Sequence, residues 1–200
     1  MIGRFTTCAG IALSTLIACH GSHEAGTTGG APSGEAPTAA PLDTSWQRNS
    51  ARLLAAGDTA PDFEGIAHTG MRVRLSAFAE RPVIVLFYPG DRDPASVTEL
   101  REFREAWLRF GDEIGMVIGV SPDDRILHKD FATGEQLPFL LVSDTSGAIA
   151  RAFGVPVENN ALKRTTFVVG KGLKVQQVFA DVAAEGHAAQ LLAALAAAPS

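Results

Sequence analysis

The chain has 200 residues, a net charge of −5 and a hydrophobic fraction of 46%, which together predict one main folded domain with an ample core. This mildly acidic balance gives no electrostatic reason to expect a nucleic acid as a partner. Its two cysteines, Cys8 and Cys19, both lie in the first twenty residues. No disulfide, zinc–thiolate site or catalytic thiol can therefore form within the chain after Cys19.

The N-terminal residues 1–18 have the pattern of a lipoprotein signal peptide. Arg4 is followed by an apolar stretch of about a dozen residues, typical of a secretory signal and too short for a membrane span. Residues 16–19, Leu-Ile-Ala-Cys, resemble the bacterial lipobox, in which the cysteine is lipidated and becomes the first mature residue. We therefore expect Cys19 to anchor the protein to a membrane of the bacterial cell envelope, on the periplasmic side if the cell is Gram-negative. The alternative is an ordinary signal peptide that contains a cysteine.

Residues 19–45 are predicted to form the lipidated cysteine and a flexible linker. The stretch 20–42 is rich in Gly, Ala, Ser, Thr and Pro, and such a segment cannot bury enough apolar surface to offset the entropy lost on ordering. Its two histidines, His20 and His23, are expected to be solvated rather than metal-bound. The folded domain is expected to span 46–200.

The order of elements within this domain predicts an α/β protein. Pro61 opens a short extended segment whose hairpin partner is 72–75, and the apolar run 83–88 predicts a strand buried on both faces. A helix should follow, because apolar residues recur at helical spacing at 97, 100, 103, 107 and 110. Further expected elements are strands at 114–120, 139–142, 165–169 and 174–179 (the last two joined by a Gly-Lys-Gly turn), and helices at 123–133, 146–153 and around 188–195. We expect a central mixed sheet flanked by helices, an N-terminal β-hairpin, and a site at 88–96, beyond the carboxyl end of a central strand.

Several motifs carry a family resemblance. In chain order they are GDTAPDF, RPVIVLFYPGDRDPAS, VIGVSPDD, FLLVSDTSGAIARAFGV and RTTFVV, followed by GH near the end. Between Gly57 and Leu195 the chain resembles the peroxiredoxins of the alkyl hydroperoxide reductase and thiol-specific antioxidant type, and most nearly the bacterioferritin comigratory protein branch. The resemblance implies a thioredoxin-like fold and, in ordinary members, thiol-dependent peroxide reduction.

The family's active-site pattern, Pro-x-x-x-Thr/Ser-x-x-Cys with a distal arginine, can be laid on this chain residue by residue. Pro89 keeps the proline, and Arg164 matches the distal arginine. Asp93 occupies the Thr/Ser position, and Ser96 occupies that of the peroxidatic cysteine. A resolving cysteine often lies five residues further on, where this chain has Arg101. The resemblance therefore implies a vestigial site in which three functional side chains are replaced.

These replacements predict that the thiol reaction is lost. Peroxide reduction needs a thiolate that is oxidised to sulfenic acid, whereas the Ser96 hydroxyl has a much higher pKa and no accessible oxidised state. An ionised Asp93 can only accept hydrogen bonds, and its charge would oppose formation of a thiolate. We expect a domain that acts by binding a protein or a small ligand, without a cofactor or a metal. The alternative is a thiol-dependent peroxide reductase, as the resemblance alone implies.

The same residues also allow structural interpretations. Asp93 before Pro94 is typical of a helix N-cap followed by proline at the first helical position, and Ser96 with Glu99 fits a capping box. Arg164 could be a structural partner of Asp93 or Glu99, or a surviving contact for an anion.

Three histidines of the domain are widely spaced in the sequence. They are predicted to be surface or turn residues rather than metal ligands: His68, His128 and His187.

Overall fold

A five-stranded mixed sheet organises residues 52–78, 80–111 and 114–197, which are the residues described by the computed structural model. The elements in chain order are β1 Glu64–Ile66, β2 Arg72–Arg74, β3 Val83–Phe87, α1 Pro94–Phe110, β4 Met116–Ser121, α2 Arg125–Gly134, β5 Leu140–Ser143, α3 Ala148–Phe153, β6 Val157–Glu158, β7 Ala161–Leu162, β8 Thr165–Val169, β9 Val175–Ala180 and α4 His187–Ala197. The α/β class and the central mixed sheet predicted from the sequence are confirmed.

The sheet has the strand order β5-β4-β3-β8-β9, with β3 at its centre. β3 is parallel to β4, and β4 is parallel to β5. β8 runs antiparallel to both β3 and β9. Every residue of β3 and β8 is buried, as a continuous apolar run predicts for a strand with packing on both faces. The carboxyl end of β3 therefore opens at the middle of the sheet, and α1 begins just beyond it.

Two apolar clusters cover the faces of the sheet. On one face the ring of Phe87 lies 5.1 Å from that of Phe153 and 5.8 Å from that of Phe167, and α3 closes this side. On the other face α1 and α4 pack through buried residues that include Leu100, Phe103 and Leu191. The helix that follows β3 is thus held against the sheet on its apolar side, which fixes the position of its first turn.

The two predicted hairpins are present, and one differs in its turn. β1 pairs with β2 in antiparallel register, as expected. Between β8 and β9 the turn is longer than Gly-Lys-Gly, since it contains a short 3₁₀ turn, Lys171–Leu173. Gly172 and Leu173 there have positive φ values of 66° and 60°. Because these residues continue the turn, β9 begins at Val175, one residue later than expected.

A further hairpin, β6–β7, was not predicted. Val157 pairs with Leu162 and Glu158 with Ala161, so the chain turns through Asn159 and Asn160. Both asparagines have positive φ, 51° and 61°, the backbone conformation required at the two central positions of a type I′ turn. Two consecutive asparagines were the available sequence signal.

The predicted signal peptide at 1–18, the linker with Cys19 at 19–45, and the domain start at residue 46 all lie outside the described residues. In the ranges that the structure describes, no helix has the length and hydropathy needed to cross a membrane.

Candidate functional site

The loop after β3 is fixed by a buried polar network. The Tyr88 hydroxyl donates a hydrogen bond to Asp91 Oδ1 at 2.8 Å, and His128 Nδ1 lies 2.8 Å from Asp91 Oδ2. The backbone N–H of Asp91 donates to Asp123 Oδ2 at 2.7 Å. Pro89 lies half-buried within this loop, four residues before Asp93. The network holds the chain at the carboxyl end of β3 in one path toward α1.

Asp93 caps the first turn of α1. Its backbone is extended, and Pro94 occupies the first helical position. Asp93 Oδ2 accepts hydrogen bonds from the Ser96 backbone N–H at 2.9 Å and from the Ser96 hydroxyl at 2.7 Å. The predicted N-cap is confirmed, because this carboxylate satisfies an N–H that has no partner within the helix.

The predicted capping box of Ser96 with Glu99 is wrong. The helix begins at Pro94, so Ser96 is its third residue rather than its N-cap. The Ser96 N–H is already bonded to Asp93, and Glu99 points into the buried interior, where it is fully covered. The S-x-x-E pattern is present, but the helix starts two residues before it.

Arg164, just before β8, completes the arrangement. Its Nη2 donates a hydrogen bond to Asp93 Oδ2, and its Nη1 donates to Ser96 Oγ at 3.3 Å. The Arg164 side chain is 11% exposed and that of Asp93 is 35% exposed. Three of the four residues matched to the family pattern therefore meet, while Pro89 takes no part because its side chain has no polar atom.

The hydrogen bonds decide the charge of Asp93. Partial burial opposes ionisation of its carboxyl group, but the hydroxyl and backbone N–H of Ser96 and the Arg164 guanidinium together lower its pKa below the ordinary value. Asp93 is therefore an anion at neutral pH. Asp93 Oδ2 accepts hydrogen bonds from the Ser96 N–H, the Ser96 hydroxyl and the Arg164 guanidinium. The Ser96 hydroxyl donates its only proton in this contact.

A buried carboxyl group lies behind Ser96, one turn further along α1. Glu99 is fully buried, with Oε2 3.7 Å from Arg164 Nη1 and Oε1 3.2 Å from His187 Nδ1. Burial raises the pKa of Glu99 to about 8, although the nearby Arg164 acts in the opposite direction. Burial also lowers the pKa of His187 to about 4. The sequence pattern gave no indication of this Glu–His contact.

The prediction for the histidines is wrong in two of three cases. His128 is fully buried and His187 is 1% exposed. His187 lies in the interior because its ring packs against Phe103 and Phe179, with centroids 5.4 and 5.9 Å away. His68 is half-buried, and its Nδ1 accepts a hydrogen bond from the Leu141 N–H at 3.2 Å.

The position matched to a resolving cysteine is occupied by an ion pair. Arg101 donates from Nε and Nη2 to the two carboxylate oxygens of Glu135, at 2.6 and 2.7 Å. Arg104, one turn along α1, donates to the Glu135 backbone carbonyl at 2.7 Å. Glu135 ends α2, so this fork-shaped contact ties the outer face of α1 to α2.

Among the described residues, Asp91, Asp123 and His128 form the one group whose donor atoms, all within 4.8 Å of one another, have the chemistry of metal ligands. The two carboxylates and His128 Nδ1 already have partners within the protein, whereas His128 Nε2 is buried without one. Asp91 is bonded to Tyr88 and His128, and Asp123 accepts from Ser121 Oγ at 3.0 Å as well as from the Asp91 N–H. We therefore assign the group to stabilisation of the loop.

Comparisons with known proteins agree with this architecture. The model of the AhpC/TSA family matches residues 56–178, and the chain belongs to the AhpC/TSA family. Its relatives include proteins named peroxiredoxin Q and peroxiredoxin Bcp. Peroxiredoxin Bcp from Bacillus subtilis is 32% identical over 146 residues, which cover 70% of this chain and 93% of that protein. Chloroplastic peroxiredoxin Q from Oryza sativa subsp. japonica is 34% identical over 146 residues, covering 72% of this chain and 67% of that protein.

A solved structure shows the same fold. The crystal structure of peroxidoxin BcpB from Mycobacterium tuberculosis has a TM-score of 0.68 and 32% sequence identity, covering 74% of this chain and 99% of that one. The thioredoxin-like fold implied by the sequence motifs is thus confirmed, as is the family resemblance to the bacterioferritin comigratory protein type.

Proposed function

We propose that this protein is a peroxiredoxin-family domain that has lost thiol peroxidase activity and acts by binding. The observation that carries the proposal is the position of Ser96. It lies in the first turn of α1, beyond the carboxyl end of the central strand, with Arg164 Nη1 3.3 Å from its hydroxyl. This is where the family pattern has its peroxidatic cysteine.

The chemistry of serine supports this proposal. A thiolate attacks the O–O bond of a peroxide and carries away one oxygen as sulfenic acid. A helix N-terminus and a neighbouring arginine can lower the pKa of a thiol enough for this role. The same surroundings cannot give the Ser96 oxygen an oxidised state. Since no cysteine follows Cys19 in the sequence, no other residue of the domain supplies a thiol.

The bonds of Asp93 support it further. Asp93 accepts hydrogen bonds from both the Arg164 guanidinium and the Ser96 hydroxyl. The two groups that could contact a peroxide are therefore already bonded to a carboxylate of the protein. A small ligand at this point must displace the Asp93 carboxylate. The binding partner is accordingly either a protein that docks on the domain or a ligand that can compete with a carboxylate.

The second candidate is a thiol-dependent peroxide reductase. It is favoured by the names of the relatives, which are peroxiredoxins. In this chain the reaction would require a cysteine supplied by another protein, placed beside Arg164.

We also propose that the protein is a lipoprotein anchored through Cys19 in the bacterial cell envelope, on the periplasmic side if the cell is Gram-negative. The residues Leu-Ile-Ala-Cys at 16–19 and the signal-like segment before them support this proposal. A tether of the composition of 20–42 would let the domain reach partners near the membrane surface.

The test is a peroxide assay of the purified mature protein in detergent. Hydrogen peroxide and an organic hydroperoxide are each supplied with thioredoxin and its reductase, and separately with a small thiol. We expect no peroxide loss above the reductant blank. Turnover that scales with protein concentration would overturn the non-enzymatic proposal and favour the reductase.

A further inference from the structure

The interior between α1 and α4 holds a carboxyl group and an imidazole without hydrogen-bond partners. Both side-chain oxygens of Glu99 and both ring nitrogens of His187 are buried and unpartnered. They make up four of the seven such atoms among the described residues. Buried polar atoms are normally hydrogen-bonded, because an unsatisfied one costs free energy. Their concentration in a single pair therefore calls for a physical explanation.

The two side chains lie close enough to share one proton, although neither Glu99 Oε1 nor His187 Nδ1 makes a hydrogen bond in this structure. Glu99 Oε1 lies 3.2 Å from His187 Nδ1, and both side chains are fully buried. A neutral carboxyl group at Glu99 can donate to a neutral imidazole at His187, which satisfies one oxygen and one nitrogen together. Charging either group alone would place an ion in an apolar core, where the Phe103 and Phe179 rings pack against the imidazole and where only Arg164, 3.7 Å from Glu99 Oε2, offsets the charge of the carboxylate.

The charged groups around the pair include some that raise the pKa of Glu99 and one that lowers it. Arg164, with Nη1 3.7 Å from Glu99 Oε2, favours the carboxylate. Asp93 and Glu102, both near α1, oppose it by like-charge repulsion. Burial acts in the same direction as Asp93 and Glu102 and outweighs Arg164, so the pKa of Glu99 is raised. For His187, burial and Arg164 lower the pKa against the opposing effect of Glu102, which keeps the imidazole neutral. The pair therefore carries one proton, on Glu99, around neutral pH.

We propose that Glu99 and His187 form a proton-dependent latch that fastens α4 to α1, closed while Glu99 is protonated and loosened when the proton leaves. α4 is the last element that the structure describes, and within the described residues few other polar bonds join it to the rest of the domain. Glu102 accepts from the Gly186 N–H at 2.9 Å, and Gln177 Nε2 donates to the Ala194 carbonyl at 3.4 Å. Once ionised, Glu99 is attracted to Arg164, which then interacts with two carboxylates, those of Asp93 and Glu99.

The pH window follows from the two shifts. The folded-state pKa of Glu99 is raised from 4.5 to about 8, so its stabilisation decreases as the pH rises and is gone above about 8. The folded-state pKa of His187 is lowered from 6.5 to about 4, so its stabilisation decreases as the pH falls below 6.5. Between about pH 4.5 and 6.5 the folded and unfolded pairs each bind one proton. The contribution of the latch is therefore level there and falls between about pH 6.5 and 8.

The experiment is thermal unfolding across pH 5.5 to 8.5 of the full-length protein and of Glu99→Gln, which keeps the shape of the protonated side chain. We expect the melting temperature of the wild type to fall by about 10 °C more than that of Glu99→Gln over this range, because Glu99→Gln retains the contribution of His187. Glu105→Gln is the matched control, because Glu105 is exposed on the same helix, and it should retain the wild-type profile. Hydrogen exchange of α4 amides, corrected for intrinsic rates, should accelerate above pH 8 in the wild type and not in Glu99→Gln.

A carbon-13 NMR titration of the wild-type Glu99 carboxyl group provides a measurement that needs no stable variant. A midpoint well above the ordinary glutamate value is expected. A midpoint near 4.5, or a wild-type and a Glu99→Gln protein with the same pH profile, would overturn the latch.

Discussion

Arg164 donates a hydrogen bond to Ser96 Oγ across 3.3 Å, although 68 residues separate the two in the chain. The contact exists because α1 starts beyond the carboxyl end of β3, while Arg164 immediately precedes β8, the antiparallel neighbour of β3. A guanidinium and a serine hydroxyl are thereby held at the point where the family pattern places its reactive sulfur. The proposed loss of thiol chemistry places a serine hydroxyl in this arrangement, beside an arginine that the family pattern also has.

Replacing Asp93 by alanine should destabilise the domain. The change removes the N-cap of α1 and the partner of Arg164, so we expect the free energy of unfolding to fall by about 1–2 kcal/mol. Asp93→Asn keeps an acceptor for the Ser96 N–H and should cost clearly less. Denaturant unfolding of the three proteins measures both differences. Equal losses in the two variants would show that the charge, and not the cap, carries the contribution of Asp93.

The ion pair on the outer face of α1 should contribute little to stability. Arg101 and Glu135 are joined by a fork-shaped contact, but half of the Arg101 side chain is exposed. Solvent screening then limits the pair to about 1 kcal/mol or less. We expect Arg101→Met and Glu135→Gln each to lower the unfolding free energy by less than this amount, with a smaller effect in high salt. A loss of several kcal/mol would mean that the contact between α1 and α2 depends on this pair.

Lipidation should depend on Cys19. In a bacterial host, Cys19→Ala should move the protein from the membrane fraction to the soluble fraction, or leave it with an uncleaved signal segment. The far-UV circular dichroism of the domain should stay unchanged. Mass spectrometry of the wild type should find an acylated cysteine at the mature N-terminus. An unmodified N-terminus elsewhere would remove the lipoprotein proposal. Cys8→Ala is the matched control, and it should leave the localisation unaltered.

The sequence could predict those features that depend on neighbouring residues. The apolar runs at 83–88 and 165–169 identify β3 and β8, because a strand buried on both faces needs an apolar residue at nearly every position. The Asp93-Pro94 pair identifies the start of α1, since capping is local. Proximity of Arg164 to Ser96 was available only through the family pattern, because no local rule joins residues so far apart.

The remainder depends on how distant elements pack. Nothing in the spacing of Glu99 and His187 indicates a contact, since it requires α4 to lie against α1 with Phe103 and Phe179 around the imidazole. A glutamate on an amphipathic helix is normally exposed. The helical spacing of the apolar residues around Glu99 therefore did not predict that Glu99 is buried. His128 is likewise buried where it contacts Asp91. The sequence did not predict this contact, because it depends on the path of the loop after β3.

Restoring sulfur at residue 96 should give a graded return of reactivity. Ser96→Cys alone should react weakly, because Asp93 remains beside the thiol and opposes thiolate formation. Asp93→Thr combined with Ser96→Cys should react faster, since it removes that charge and restores a hydroxyl donor. Adding Arg164→Ala to this pair should slow the reaction again by removing the nearby positive charge. The readout is sulfenic acid at residue 96, trapped and located by mass spectrometry.

The most direct measurement compares peroxide loss by the wild type and by the Asp93→Thr, Ser96→Cys double variant, under one set of conditions with the same thiol reductant. The account predicts that the wild type will not differ from the protein-free blank, while the double variant consumes peroxide in proportion to its concentration. Arg164→Ala in the double variant should then reduce that rate, which ties the activity to the site. Peroxide consumption by the wild type at a rate comparable with that of the double variant would contradict the account.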